Sequence, residues 1–116
     1  MKTKNNRLLR IGENIRAVLS RQIILNELYD PELNNTIITI TEVQPSRDLR
    51  HAKVFVSSIG KDEEKVAQIL NGFSNALSKL VAKELETKYS PKLAFFADLS
   101  FSNASKIKKL IDENVN

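Results

Sequence analysis

Three arginines near the start of the sequence are spaced for a common task. On a helix with about 100° per residue, Arg7, Arg10 and Arg21 fall within roughly 60° of one another. Guanidinium groups bind phosphate through paired hydrogen bonds and stack on bases, so this row predicts contact with RNA. The alternative is a solvated row that forms ion pairs with nearby glutamates, namely Glu13, Glu27 or Glu32.

A second group of cations surrounds a predicted polar turn over residues 44–50. A loop held between two strands is a suitable place for recognition groups. The turn therefore predicts RNA contacts from Arg47, Arg50 and Lys53, beside His51. In the alternative interpretation, Asp48 caps the turn and neutralises one of these cations.

Catalysis by the same turn is not supported. Ser46, Asp48 and His51 superficially suggest a catalytic triad, but three residues within six positions of one loop rarely reach triad geometry. Paired carboxylates such as Glu63 and Glu64 belong to a helix start, where the helix dipole favours negative charge. We therefore expect a surface histidine, and a chain that is not an enzyme.

A third candidate site interrupts a long helical pattern. Four poor helix formers surround Phe73 in the segment Asn71-Gly72-Phe73-Ser74-Asn75, which predicts a kink between two helices. A kink at the surface would let Gly72, Ser74 and Asn75 approach an RNA backbone closely. We expect Gly72 or Asn75 to hold a non-helical backbone. Lys79 lies just beyond and is the lysine best placed to reach phosphate, unless it is an ordinary solvated side chain.

The positive charge of the chain is concentrated in its first quarter. The 116 residues include 18 Lys and Arg against 14 Asp and Glu, a net charge of +4. Residues 1–25 carry six basic side chains against Glu13 alone, whereas the remaining residues carry twelve basic and thirteen acidic ones. A concentrated basic element suggests a polyanionic partner, and nucleic acid is the commonest.

The composition argues against a metal centre, a cofactor or a membrane span. The chain has no cysteine and one histidine, which leaves few metal ligands. No apolar run approaches the ~18 residues that a membrane span needs, and no phosphate-binding glycine motif occurs. We expect a cytoplasmic monomer without cofactor, metal, membrane or small-molecule substrate.

Hydrophobic periodicity and turn residues divide the chain into elements. Apolar residues at three- and four-residue steps predict helices, and short β-branched runs predict strands. We expect a flexible basic segment over 1–6, one domain over 7–113 and a C-terminal end over 114–116. The predicted helices cover 7–28, 62–71 and 76–89, and a short final helix begins at Ser102-Asn103. Asp62 caps the helix over 62–71, and Ser90-Pro91 ends the helix over 76–89. The predicted strands cover 36–43, 51–59 and 93–99.

The order of these elements predicts an α+β fold. Two helices joined by a tight polar turn and packed on a three-stranded sheet are the layout of KH-type RNA-binding domains. Phe95 and Phe96 alternate, so one faces the helices and the other can lie on the open face of the sheet. An exposed aromatic there could stack on a base, but burial is the favoured interpretation.

The chain resembles the bacterial ribosome-binding factor A family across most of its length. The matching stretches, in order, are RLLRIGENI at 7–15, DPEL at 30–33, IITITEV at 37–43, SRDLRHAKVFVS at 46–57 and SPKLAFFAD at 90–98. At the helix junction, family members usually carry Ala-x-Gly, and this chain has Phe73-Ser74-Asn75 instead. Asparagine tolerates a left-handed backbone best after glycine, which is consistent with the predicted kink.

The resemblance implies a KH-like fold of type II and a role without catalysis. Such factors bind 16S rRNA within the free small (30S) ribosomal subunit, assist its late maturation and are linked to growth in the cold. In the alternative hypothesis, the domain is a protein–protein adaptor on the ribosome that makes no direct RNA contact. A steep loss of affinity with rising salt would favour RNA binding.

Overall fold

The computed structural model describes residues 3–24, 31–87 and 90–99. The elements, in chain order, are α1 (Thr3–Ile24), a short 3-10 turn (Pro31–Leu33), β1 (Ile37–Pro45), β2 (His51–Ile59), α2 (Glu63–Gly72), α3 (Ser74–Leu85) and β3 (Lys92–Ala97). This is the predicted α+β order, α-β-β-α-kink-α-β. The predicted final helix from Ser102-Asn103 lies outside the described residues, as does the predicted continuation of the first helix over 25–28.

The first helix begins earlier than predicted. It starts at Thr3 rather than at Arg7, because residues 3–6 contain neither proline nor glycine to stop a helix that is already favoured further along the chain. In the next helix, the prediction for Asp62 is confirmed. Its carboxylate accepts the backbone N–H of Lys65 at 3.3 Å and caps α2.

The sheet has the strand order β1-β2-β3. β1 and β2 form the predicted antiparallel hairpin, with a register shift between Ile40 and Glu42. β2 and β3 pair in parallel, with His51 opposite Lys92 and Val56 opposite Ala97. A parallel pair needs a long crossover, which here contains α2 and α3.

The helices cover one face of the sheet and leave the other open. α1 packs on β1, α2 packs on β2 and β3, and α3 lies between β3 and α1. The core consists of the inward-facing alternate residues of the strands, one apolar side of each helix and Leu33 of the 3-10 turn. Its members are Ile15, Val18, Leu19, Leu33, Ile40, Val43, Ala52, Val54, Val56, Val66, Ala67, Leu70, Leu77, Val81, Leu93 and Phe95.

The kink predicted within 71–75 is present, but the expectation that Gly72 or Asn75 holds the non-helical backbone was wrong. Phe73, with φ −102° and ψ 9°, is the residue outside both helices. Gly72 ends α2 and Asn75 lies inside α3, and neither has a positive φ. The polar residues at the junction bond to the neighbouring strand instead of distorting their own backbone.

Side chains of the two helices cover the outer edge of β3. The amide of Asn71 donates to the carbonyl of Phe95 at 3.0 Å and accepts the Phe95 N–H at 2.8 Å. The hydroxyl of Ser74 donates to the carbonyl of Leu93 at 2.5 Å, and that of Ser78 donates to the carbonyl of Pro91. An edge strand normally exposes such groups to pairing with other chains. Here the helices satisfy several of them.

α3 ends earlier than predicted, at Leu85 rather than near Ser90-Pro91. The backbone N–H of Glu86 bonds the carbonyl of Lys83 at 3.4 Å, and that of Thr87 bonds the carbonyl of Ala82 at 3.0 Å. Glu86 itself has a left-handed backbone, with φ 53° and ψ 41°. These are the bonds of a Schellman cap, which stops a helix without any proline.

We expect Glu86→Gly to stabilise the fold by about 1 kcal/mol, because glycine adopts the left-handed conformation without the strain of a side chain. Equilibrium urea unfolding would measure the gain. Lys79→Gly is the matched control, since Lys79 is exposed inside α3 and glycine there should cost about 1 kcal/mol. A Glu86→Gly variant no more stable than the wild type would contradict the strained cap.

Candidate RNA-binding surface

The N-terminal half of α1 lies close to the end of β1. Gly12 makes this possible, because a Cβ at that position would lie 2.7 Å from the carbonyl oxygen of Val43 and 3.3 Å from the Cδ of Pro45. Arg7 and Arg10 are on the exposed side of this part of the helix. Neither guanidinium forms a salt bridge with any residue that the structure describes. Both groups are therefore available to an anionic partner.

Arg21 is exposed but partly neutralised. Its Nη2 lies 3.5 Å from the Oε2 of Glu84 on α3, a partner that the sequence did not indicate. Arg16, on the opposite side of α1, pairs with Glu13 at 2.7 Å. Exposed ion pairs such as these contribute ~0–1 kcal/mol, so Arg21 can exchange Glu84 for a phosphate at small cost.

The loop between β1 and β2 is held by its own hydrogen bonds. The Ser46 hydroxyl donates to the Oδ1 of Asp48 at 2.7 Å and accepts the backbone N–H of His51 at 3.1 Å. The same Oδ1 accepts the backbone N–H of Arg50 at 3.1 Å. Asp48 therefore caps the turn, as the alternative interpretation of this loop proposed. Arg47 and Arg50 are exposed on a loop of defined shape.

These hydrogen bonds also affect the pKa of Asp48 and exclude a catalytic triad in the loop. The Ser46 hydroxyl and the Arg50 N–H lower the pKa of Asp48, and the charges of Arg50 and His51 lower it further. The Ser46 hydroxyl donates to the Asp48 carboxylate, and its oxygen accepts the backbone N–H of His51 instead of bonding the imidazole. The three residues thus form a turn and lack the geometry of a triad. His51 is an exposed side chain, as expected.

A cleft separates this loop from α1. Its volume is about 460 Å³. Ile11, Asn14 and Ile15 of α1 line one side, and Asp48, Leu49 and His51 line the other. The fold therefore brings the N-terminal half of α1 and the cationic loop to the same end of the molecule. This juxtaposition joins two groups of predicted RNA-binding residues that are far apart in sequence.

Lys53 lies on a different surface from the loop arginines. It alternates with the buried residues Ala52 and Val54 on β2, and is exposed on the open face of the sheet. Its neighbour in the sheet is Ala94, and the next outward position on β3 is Lys92. Lys92 was missed by the sequence reasoning, although the alternation of β3 places it on the same face as Phe96.

The helix junction leaves three of its four predicted site residues exposed. Gly72, Asn75 and Lys79 are exposed, and a Cβ on Gly72 would have no neighbour within 4 Å. The backbone at Gly72 is therefore accessible. The Ser74 hydroxyl is already bonded to β3, and Asn71, which the sequence did not single out as a site residue, has a similar structural role.

The described ranges contain neither a metal-binding cluster nor a membrane-spanning helix. Within 3–24, 31–87 and 90–99, no three histidine or carboxylate side chains are grouped so as to hold a metal ion. None of the helices in these ranges combines the length and the apolar character needed to cross a membrane.

Comparison with known proteins agrees with the fold and the sequence pattern. A curated relative named ribosome-binding factor A from Novosphingobium aromaticivorans is 40% identical over 110 residues, which cover 94% of this chain and 82% of the relative. One from Rhizorhabdus wittichii is 42% identical over 106 residues, which cover 90% and 80%.

Solved structures show the same fold. The crystal structure of ribosome-binding factor A from Thermus thermophilus matches with a TM-score of 0.66 at 22% identity, over 78% of this chain and 94% of that one. Coordinates of the Thermus thermophilus protein fitted into a cryo-EM map of its 30S complex match with a TM-score of 0.61 at 23% identity, over 76% and 91%. The type II KH-like fold expected from the resemblance is thereby confirmed. The profile of one family, ribosome-binding factor A, matches residues 7–111, and the chain belongs to that family.

Proposed function

We propose that this protein is an RNA-binding assembly factor, without catalytic activity, that associates with the free small (30S) ribosomal subunit and assists late maturation of 16S rRNA. The main support for this proposal is the basic end of the molecule. Four arginines are exposed there: Arg7 and Arg10 of α1, and Arg47 and Arg50 of the adjoining loop. The family membership supports it, as does the 30S complex known for the Thermus relative.

The protein acts by occupying a site on the rRNA and not by catalysing a reaction. α1 is fixed to the β1–β2 loop because it packs on the end of β1 that leads into that loop. The arginines therefore project as a pattern from two elements with a fixed relative position. Such a pattern neutralises phosphates and selects an RNA by shape. A cytoplasmic monomer that holds one region of rRNA in place, and leaves as the subunit matures, requires nothing more than this surface.

We expect Arg7→Ala and Arg10→Ala to weaken binding to purified small subunits. Each lost phosphate contact should lower the slope of log affinity against log salt by about 0.7 to 1. Sedimentation of the protein with the subunits at several salt concentrations would measure both effects. Because the two side chains are exposed, their removal should leave the unfolding free energy within about 0.5 kcal/mol.

Arg16→Ala is the matched control for these variants. It removes the same charge from the same helix, but from the opposite side, where Arg16 already pairs with Glu13. We expect its salt slope to equal that of the wild type. Equal losses of affinity in all three variants would mean that binding depends on net charge alone. Unchanged salt slopes in Arg7→Ala and Arg10→Ala would contradict RNA contact at this end.

A protein–protein adaptor is the second candidate. Ile37 and Ile59 are paired across the hairpin, and are 64% and 70% exposed. An apolar pair of this kind suits a protein partner. Binding to small subunits that is insensitive to salt, and lost in Ile59→Ser, would favour the adaptor over the RNA-binding factor.

A further inference from the structure

The open face of the sheet carries an aromatic pair that the hydrophobic core does not use. Phe55 and Phe96 are opposite each other in the parallel register, with ring centroids 5.8 Å apart and planes tilted by 32°. Phe96 is 43% exposed, whereas its neighbour Phe95 is 2% exposed on the other face. The favoured interpretation that burial accounts for both rings therefore holds for Phe95 alone.

Two lysines stand beside these rings on the same face. Lys53 is two residues before Phe55 on β2, and Lys92 is four residues before Phe96 on β3, with the small Ala94 between them. Outward-facing residues on one strand are ~6.6 Å apart, so Lys53 lies about one such step from Phe55 and Lys92 about two steps from Phe96. Neither lysine forms a salt bridge with any residue in the part of the chain that the structure describes.

Carboxylates also lie near the rings, and each is held by a neutral donor that leaves its negative charge in place. Glu42, opposite Phe55, accepts a hydrogen bond from the amide of Gln44 at 2.6 Å. Asp98 accepts one from the hydroxyl of Thr41 at 2.5 Å. The two lysines precede the rings along their strands, whereas Asp98 follows them. On the side of the lysines, positive charge adjoins exposed aromatic surface, which is the combination that binds single-stranded nucleic acid.

We propose that this open face binds unpaired RNA bases, which stack on Phe96 and Phe55 while Lys53 and Lys92 neutralise the adjoining phosphates. The surface is separate from the basic end of α1, because the sheet lies between this face and the helices. The inference rests on the proposed function in so far as RNA is the ligand. It adds a second contact of a different kind, to bases rather than to phosphates alone.

Substitutions at Phe96 separate stacking from apolar contact. We expect Phe96→Leu to lower the affinity for a fluorescein-labelled 12-nucleotide oligouridylate by about fivefold or more, and Phe96→Tyr to retain it, because tyrosine keeps a ring. Fluorescence anisotropy with the full-length chain would measure both. Affinity for a blunt RNA duplex should stay unchanged in Phe96→Leu, since a duplex offers no unstacked base.

The lysines provide an independent readout. Lys53→Gln and Lys92→Gln should each lower the salt slope for the oligonucleotide by about 0.7, whereas Phe96→Leu should leave that slope unchanged. Thermal unfolding of each variant would show that it is folded, and loss of fold in Phe96→Leu would leave the lysine slopes to decide. A wild-type chain that binds no oligouridylate, or a folded Phe96→Leu variant with wild-type affinity, would overturn the proposal.

Failure of this inference can be told apart from failure of the proposed function. If Phe96→Leu binds both the oligonucleotide and the small subunit like the wild type, while Arg7→Ala and Arg10→Ala lose subunit binding, the face is wrong and the function stands. If no variant or wild-type chain binds the subunit in a salt-dependent way, the function itself fails.

Discussion

Asn71→Ala should destabilise the fold by about 2 to 3 kcal/mol, although alanine is the better helix former. The substitution removes both bonds to Phe95, at 3.0 and 2.8 Å, and leaves a backbone N–H and a carbonyl on the edge of β3 without partners. A half-buried backbone group that loses its bond costs ~1–3 kcal/mol. Equilibrium urea unfolding would measure the loss.

Asn75→Ala is the matched control. Asn75 is exposed inside α3, so its replacement should stabilise the helix by a few tenths of a kcal/mol through propensity alone. The two variants make the same chemical change four residues apart. Equal unfolding midpoints would show that the bonds between Asn71 and β3 contribute nothing in solution.

Gly12→Ala should cost about 2 kcal/mol or more, because the new Cβ would lie 2.7 Å from the backbone carbonyl of Val43. α1 would have to move away from β1, against a gain of ~1 kcal/mol in helix propensity. The shift would also displace Arg7 and Arg10 relative to the loop. We therefore expect weaker binding to small subunits as well as a lower unfolding midpoint in urea.

Gly72→Ala adds the same methyl group where a Cβ has open space. Since Gly72 is helical, we expect it to stabilise the fold by ~0.5–1 kcal/mol. Opposite signs for the two glycines would identify close helix–strand packing as the reason for Gly12. A stabilising effect of both substitutions would contradict that packing.

All three strands were predicted, and the bounds of β2 in particular were predictable because its pattern is local. Ala52, Val54 and Val56 alternate with outward-facing residues, and Gly60 follows, so β2 was predicted with its correct bounds. The capping aspartate of α2 was predictable for the same reason. In each case the residues that determine the element lie within the element or at its ends.

The helix junction was not predictable in detail because its determinants are distant in sequence. Asn71 and Ser74 were interpreted as helix breakers from their propensities, yet both lie in helices and bond to Phe95 and Leu93 of β3. A polar residue that breaks an isolated helix can stabilise a packed one by satisfying a neighbouring strand. No local property of the segment distinguishes these cases.

The candidate site shows a similar division. Exposure of Arg7 and Arg10 followed from helical periodicity, and that of Arg47 and Arg50 from their place in a polar turn. The ion pair of Arg21 with Glu84, and the placement of Lys53 beside Lys92, depend on how α3 and β3 pack. Only one member of the exposed ring pair was a candidate from the sequence. Phe96 was singled out, but its partner Phe55 comes from a different strand.

The parallel pairing of β2 with β3 sets the order in which the sheet can assemble. β1 and β2 are joined by a short loop and can pair early. β2 and β3, with His51 opposite Lys92, can pair only after a loop of roughly 40 residues has closed. Pairing over such a distance is intrinsically slow. Until β3 arrives, β2 has an unpaired edge beside Val54 and Val56, and a chain at that stage can pair with another copy instead.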